Sequence, residues 1–267
     1  INDVDGYVVN FWRATRADPD AVLAYTTGPS AELDLAARHR WLVTTARARL
    51  EALRDDPEAY DVKVAGWWLW GICRWIGSGW CVTGAAQAPS IPKGIAATGK
   101  MPAARRRRDL DQEVMRALSD RLQHVRILCG DWRRVVSSQS LVGNLHASGG
   151  GRRGTTGVFL DAPYVTGHDL YSSDAAGVFA EERTWDEANG ADPHLRIVVC
   201  GHEGDWSPPA GWQTVAWTGR KAFASTKGNE QRERLWCSPA CLPVERAQGS
   251  LELGLVRYES SAAGNDT

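Results

Sequence analysis

Between Asp109 and Cys200 the chain switches repeatedly between a helical period and short apolar runs, and this alternation restricts it to an α/β architecture. Leu110, Val114, Leu118 and Leu122 recur every four residues, which predicts a helix over Asp109 to Leu122 with these residues on one face. A strand is predicted over Val125 to Cys129, a second over Val158 to Leu160, a helix over Asp174 to Ala188 and another strand over Leu195 to Cys200. Parallel strands in such a series open their carboxyl ends onto one edge, where ligands bind. Asp131 and Asp161 stand just past the first two of these strands. Beyond them, Trp212 to Trp217 and Glu233 to Cys237 read as strands flanking a polar loop, Gly219 to Gln231.

The first hundred residues read differently. Leu33, Ala36, Ala37, Trp41, Val43 or Thr44, and Leu50 predict a helix over Glu32 to Leu53, stopped at Asp55-Asp56-Pro57. Gly66 to Ile76 holds four tryptophans and is too short and interrupted to span a bilayer, so its indoles are expected in a core or a domain interface. Gly77 to Lys100 has no period and contains Gly, Pro and Ser, as in an irregular loop region.

With 267 residues, 43% of them hydrophobic, the chain can bury a sizeable core without disulfides or a metal. Its six cysteines are dispersed, and no charged-plus-apolar leader opens it; both features point to a reducing, cytoplasmic setting. Cys237 and Cys241 lack the histidine or second cysteine pair of a usual metal site, so they are read as ordinary thiols. A formal net charge of -1 gives no global attraction to nucleic acid, so any DNA contact must come from local clusters. Arg105, Arg106, Arg107 and Arg108 form one such cluster with Lys100, and Arg133, Arg134, Arg152 and Arg153 form another in a stretch without acids. Either suits phosphate, and either can be a solvated loop. His146 lies in a glycine-rich connection, and His168 and His202 follow candidate strand ends as rim residues.

The chemistry is concentrated after Gly157-Val158-Phe159-Leu160, an apolar run predicted to be a buried strand, where Asp161, Ala162, Pro163 and Tyr164 follow. A carboxylate and a backbone carbonyl can each accept one hydrogen of an exocyclic amine, and Tyr164 offers a stacking face. Such a pocket suits a flat, amine-bearing ring.

On these residues the chain resembles the adenine-specific DNA methyltransferases related to Dam, whose Asp-Pro-Pro-Tyr motif carries the target adenine. Ala162 stands where the family has its first proline; it retains the carbonyl and loses the locked φ. The resemblance extends to Ile1 to Gly6 with Val9 to Arg13, to Val125 to Trp132, and, toward phage-type members, to Tyr171-Ser172, Leu195 to Gly201 and Arg232 to Pro239. It implies a Rossmann-like S-adenosylmethionine-dependent methyltransferase sheet, closed by an antiparallel hairpin. It implies methyl transfer to adenine N6 of double-stranded DNA with the adenine flipped out, Asp161, Ala162, Pro163 and Tyr164 holding the base. Asp3 is expected on the ribose hydroxyls of S-adenosylmethionine, and Asp131, with Trp132, beside its adenine.

The resemblance divides the chain into residues 1–59, the start of the methyltransferase core; 60–108, a DNA-recognition insertion; and 109–267, the catalytic part. Asp3, Asp131 and Asp161 are expected around one cleft. The family's glycine-rich loop, roughly Phe-x-Gly-x-Gly, has no counterpart before Ile1, and Gly77-Ser78-Gly79 and Gly149-Gly150-Gly151 are poor substitutes. A cleft lacking one wall is therefore expected, which leaves a second reading, a catalytically silent truncated DNA-binding relative. Cytosine N4 and RNA amines share the amine geometry and form a third.

Overall fold

The computed structural model describes residues 1–27, 32–74, 80–81, 112–141, 154–161, 175–216 and 232–242. The chain forms two compact units, Ile1–Arg153 and Gly154–Thr267.

The first unit is mostly helical. β1 (Asn2–Asp3) leads into α1 (Gly6–Ala17), capped by the Asp5 carboxylate, which accepts from the Tyr7 N–H. α2 (Pro19–Tyr25) follows with Pro19 in its first turn, where a missing N–H costs nothing. The helix predicted over Glu32 to Leu53 forms with an interruption. α3 (Glu32–Trp41) passes through a π-helical turn, Leu42–Ala46, into α4 (Arg47–Asp55). Within that turn the Thr44 hydroxyl donates to the Arg40 carbonyl at 2.7 Å, a local competitor for the backbone ladder. α5 (Val62–Ile72) is capped by Asp61, which accepts from the N–H groups of Lys63 and Val64.

α1 is the hub. Its Phe11 and Ala14 pack with Val22, Ala65 and Met115, and its Val9 packs with Leu122 and Ile127. The tryptophan-rich α5, at the start of the segment assigned by resemblance to DNA recognition, packs on α1 and α2 with Val64, Ala65 and Trp70 buried. Two polar residues of α1 lock the packing. Asn10 exchanges two hydrogen bonds with the Asp61 backbone, at 2.7 and 2.9 Å. Arg13, 2% exposed, donates to the carbonyls of Ile127, Leu53, Asp56 and Ala59 and so satisfies the end of α4.

α6 (Gln112–Leu122) buries a face that overlaps the expected one at Leu118 and Leu122 but is rotated away from Val114. Met115, Ser119 and Leu122 point inward while Val114 is 45% exposed. A row spaced strictly by four drifts around a helix of 3.6 residues per turn, whereas positions 115, 119 and 122 stay on one side. The strand expected over Val125 to Cys129 shrinks to β2 (Leu128–Cys129), parallel to β1. Side chains and the amino terminus take the preceding carbonyls: Arg16 donates to Val125, Ile1 N to Arg126 and Arg13 to Ile127. A 3₁₀ turn, Trp132–Arg134, and the short α7 (Ser138–Leu141) complete the described part of this unit.

The second unit is a mixed sheet with a helix. β3 (Thr156–Leu160) runs parallel to β4 (Leu195–His202), and α8 (Ala175–Asn189) lies between them in sequence. β5 (Gln213–Ala216) and β6 (Glu233–Cys237) form the antiparallel hairpin expected from the resemblance, with strand order β3-β4-β6-β5. β4 is central and nearly buried throughout, with Ile197 and Val199 fully enclosed. β3 is buried on one face only: Val158 and Leu160 turn inward while Phe159 is 65% exposed, which corrects the expectation of a wholly buried run. The chain is thus mixed α/β as expected, but its described strands fall into two sheets, one in each unit, rather than a single one.

Candidate functional site

In the first unit, Asp3 ends β1 and pairs in register with Cys129, and the Gly130 N–H donates to the Asp3 carbonyl at 3.0 Å. Parallel pairing therefore delivers Asp3 and Asp131 to the same end of the two-stranded sheet. Gly130 has φ +152°, a conformation that suits glycine and lets the chain turn there. The Asp3 carboxylate accepts from the Asp5 N–H at 2.8 Å through Oδ1, and its other oxygen has no hydrogen-bond donor among the described residues. Asp131 is more committed. It caps the 3₁₀ turn through the Arg133 N–H, and both its oxygens accept from the Arg133 guanidinium, the shortest contact being 2.6 Å. These hydrogen bonds hold its pKa below the ordinary carboxylate value. Trp132 is half-buried and Arg134 exposed.

In the second unit, Asp161 follows β3 directly, one position beyond the Leu160–Val199 pair, at the carboxyl ends of the parallel strands. β6 brings a second acid to that edge, because Glu233 is in register with His202 at the end of β4. The His202 Nε2 lies 3.6 Å from Glu233 Oε1, and the His202 backbone N–H donates to Asp205 at 3.1 Å. His202 is 3% exposed, which makes it an interior group rather than the rim residue expected from sequence. Asp161 is exposed as a residue, yet the protein around its carboxyl group removes enough water to raise its pKa, and the charge of Glu233 raises it further.

Three buried charges from α8 belong to the same electrostatic group. Arg183 donates to Glu182 at 2.7 Å and lies 3.3 Å from Asp186, and its guanidinium sits over Phe179 and Trp206 at 4.6 and 4.8 Å. One guanidinium cannot fully compensate two carboxylates withdrawn from water. Burial pushes Asp186 up to about 7, and it raises Glu182, to which the charge of Asp161 adds. Cys200, between these acids on β4, is pushed up to about 12 and is a neutral thiol rather than a nucleophile.

The edge can therefore accept hydrogen bonds from a donor-rich ligand. Asp161 supplies an accessible carboxylate, and the charge of Glu233 acting on it opposes the entry of further negative charge. Sequence reasoning did not single out Glu182, Arg183, Asp186 or Glu233. The signal was present for three of them: Phe179, Glu182, Arg183 and Asp186 occupy positions i, i+3, i+4 and i+7, a core stripe filled with charge. Glu233 has no comparable signal, since only strand register carries it to His202.

The remaining candidate residues divide simply. Ala162, Pro163, Tyr164, His146, His168, Lys100, Arg105, Arg106, Arg107, Arg108, Arg152 and Arg153 lie outside the described residues. Asp3 and Asp131 belong to the first unit and Asp161 to the second. All six cysteines are free thiols, and no group of three or more metal-ligating side chains occurs among the described residues. No described helix is long and apolar enough to cross a membrane. No family model, curated protein or solved structure matches the chain.

Proposed function

We propose that the chain is an amino-methyltransferase acting on DNA, transferring a methyl group from S-adenosylmethionine to adenine N6. The observation that carries this reading is Asp161, an accessible carboxylate of raised pKa at the carboxyl end of β3. Asp161, the first residue of the Asp161-Ala162-Pro163-Tyr164 run, follows a strand with a parallel neighbour beside it, and this supports the reading. The β5–β6 hairpin beside β4 is a second support.

Asp161 and the Ala162 carbonyl would each accept one hydrogen of the exocyclic amine and so aim its lone pair. Pro163 would fix the turn that presents Tyr164 to the ring. The gain is one of positioning, which holds amine and methyl donor in a reactive alignment without a covalent enzyme intermediate. Asp161 need not be a strong base, because the amine proton becomes acidic once methylation has occurred. Extruding the adenine from a duplex costs a few kcal/mol, part of which stacking on Tyr164 returns. Arg105 to Arg108 and Arg133, Arg134, Arg152 and Arg153 are the proposed phosphate contacts.

S-adenosylmethionine supplies an electrophilic methyl sulfonium when bound. The residues at the end of β1 fit its ribose: Asp3 keeps a carboxylate oxygen without a donor, as a hydroxyl-binding acid requires. Asp131 fits once its contact with Arg133 opens. That pair is half exposed, at 59% and 40%, and surface pairs of this kind contribute only about 0–1 kcal/mol, so opening is cheap.

Calorimetric titration with S-adenosylmethionine tests the reading. Saturable binding by the chain, weakened at least tenfold in Asp3→Ala, is expected. Failure of the parent to bind, or equal binding by the variant, would remove the mechanism.

A further inference from the structure

On the first unit, α3, α4 and α5 meet through an alternating row of cations and indoles. The Arg49 guanidinium lies 5.4 Å from the Trp41 ring centroid, and the Lys63 ammonium lies 4.5 Å from Trp41 and 4.3 Å from Trp67. Arg38 continues the row, 5.2 Å from Trp67 and 4.0 Å from Trp70. Trp41 and Trp67 meet edge to face at 5.0 Å. Each indole face attracts its cation and restrains it. It does not cancel the charge.

The charge on this row is in excess. Asp61 pairs with Arg49 at 2.7 Å, and Asp34 acts on Arg38 electrostatically. The Lys63 ammonium, between two indoles, has no ion-pair partner and no hydrogen-bond acceptor among the described residues, although the Lys63 backbone N–H donates to Asp61. From Leu35 to Leu50 the chain carries Arg38, Arg40, Arg47 and Arg49 and no acid. Lys63, Trp41 and Trp67 are all half-buried, so each of the three residues keeps part of its surface accessible. A polyanion with flat apolar groups at short intervals matches both the cation and the indoles, and a nucleic-acid strand is that ligand.

We infer that the row formed by Arg49, Trp41, Lys63 and Trp67 is a nucleic-acid contact, with Lys63 on a phosphodiester and the two indoles beside neighbouring bases. The inference does not require methyl transfer, and its residues are separate from the arginines proposed above as phosphate contacts.

Fluorescence anisotropy of the full chain with a labelled single-stranded oligo-dT is the test. Thymine has no exocyclic amine, so this probe does not ask for the amine pocket at Asp161. The parent is expected to bind with strong salt dependence. Lys63→Gln should lose roughly tenfold in affinity at 50 mM salt and flatten the slope of log K against log salt by ~0.7, the contribution of one phosphate contact on a single strand. Lys63→Arg should restore both. Circular dichroism melting checks the fold of each variant, and if Lys63→Gln melts below the parent, Arg49→Gln carries the same comparison. No binding of oligo-dT by the parent, or parental affinity and slope in the folded glutamine variant, would overturn the inference. Either result would leave S-adenosylmethionine binding, and hence the methyl-transfer reading, to its own test.

Discussion

Asp186 shows how a single buried residue can set the pH behaviour of the second unit. It is wholly enclosed, neither of its oxygens accepts a hydrogen bond among the described residues, and its pKa is raised to about 7 by burial despite Arg183. An unfolded aspartate titrates near ~3.9, so between about pH 4 and 7 the folded state binds more protons than the unfolded one. Stability from this group is therefore full below about pH 4 and falls as pH rises toward and past 7, by on the order of 4 kcal/mol. Asp186→Asn should remove that slope and melt above the parent at pH 8, with the advantage gone at pH 4. Parallel melting curves of parent and variant from pH 4 to 8 would contradict it. At Tyr164, replacement by alanine is expected to weaken capture of an adenine-bearing duplex by about 1–3 kcal/mol, read from equilibrium binding. An unchanged affinity would take the stacking face away from that residue.

Elements were legible from sequence where one chain segment decides its own period. The helices ending at Asp55, Leu122 and Asn189 fall close to their expected places, as do β4 and β6. What escaped depends on partners distant in sequence. Val125 to Ile127 have strand-like composition, but their carbonyls go to Arg16, Ile1 and Arg13 instead of a neighbouring strand. The inward face of α6 is set by the gap between Phe11, Val22 and Ala65 that Met115 fills. Close approach of helices gives a further check. A Cβ on Gly66 of α5 would stand 2.3 Å from the Tyr25 Cβ and 2.6 Å from the Val22 carbonyl oxygen of α2. Alanine gains about 1 kcal/mol over glycine in a helix interior. Overpacking against fixed backbone costs roughly 1–3 kcal/mol or more, so the clash wins. Gly66→Ala is expected to lower the urea midpoint, and an unchanged or higher one would mean that α2 and α5 are not so tightly apposed.

At the scale of the molecule, the candidate site was only partly readable. The position of Asp3 came only from the resemblance, whereas those of Asp161 and Asp131 after strands followed from the apolar runs that precede them. The buried charges of α8 and the His202–Glu233 pair did not, because a carboxylate in a sequence carries no mark of whether folding will remove it from water. Glu233 also sharpens the proposal. Asp161 with the charge of Glu233 at one sheet edge disfavours phosphate there and favours a neutral, donor-bearing base, which is what the amine-binding role proposed for Asp161 asks of that edge.

Mass analysis of nucleosides is the most direct measurement, made on adenine-containing DNA incubated with S-adenosylmethionine and either the parent or Asp161→Ala. N6-methyl-2′-deoxyadenosine should accumulate with the parent and be absent with the variant, while the variant keeps the parent's circular dichroism spectrum. No methylated base with the parent, or equal methylation by Asp161→Ala, would contradict the assignment of Asp161 as the amine-binding carboxylate of a DNA methyltransferase.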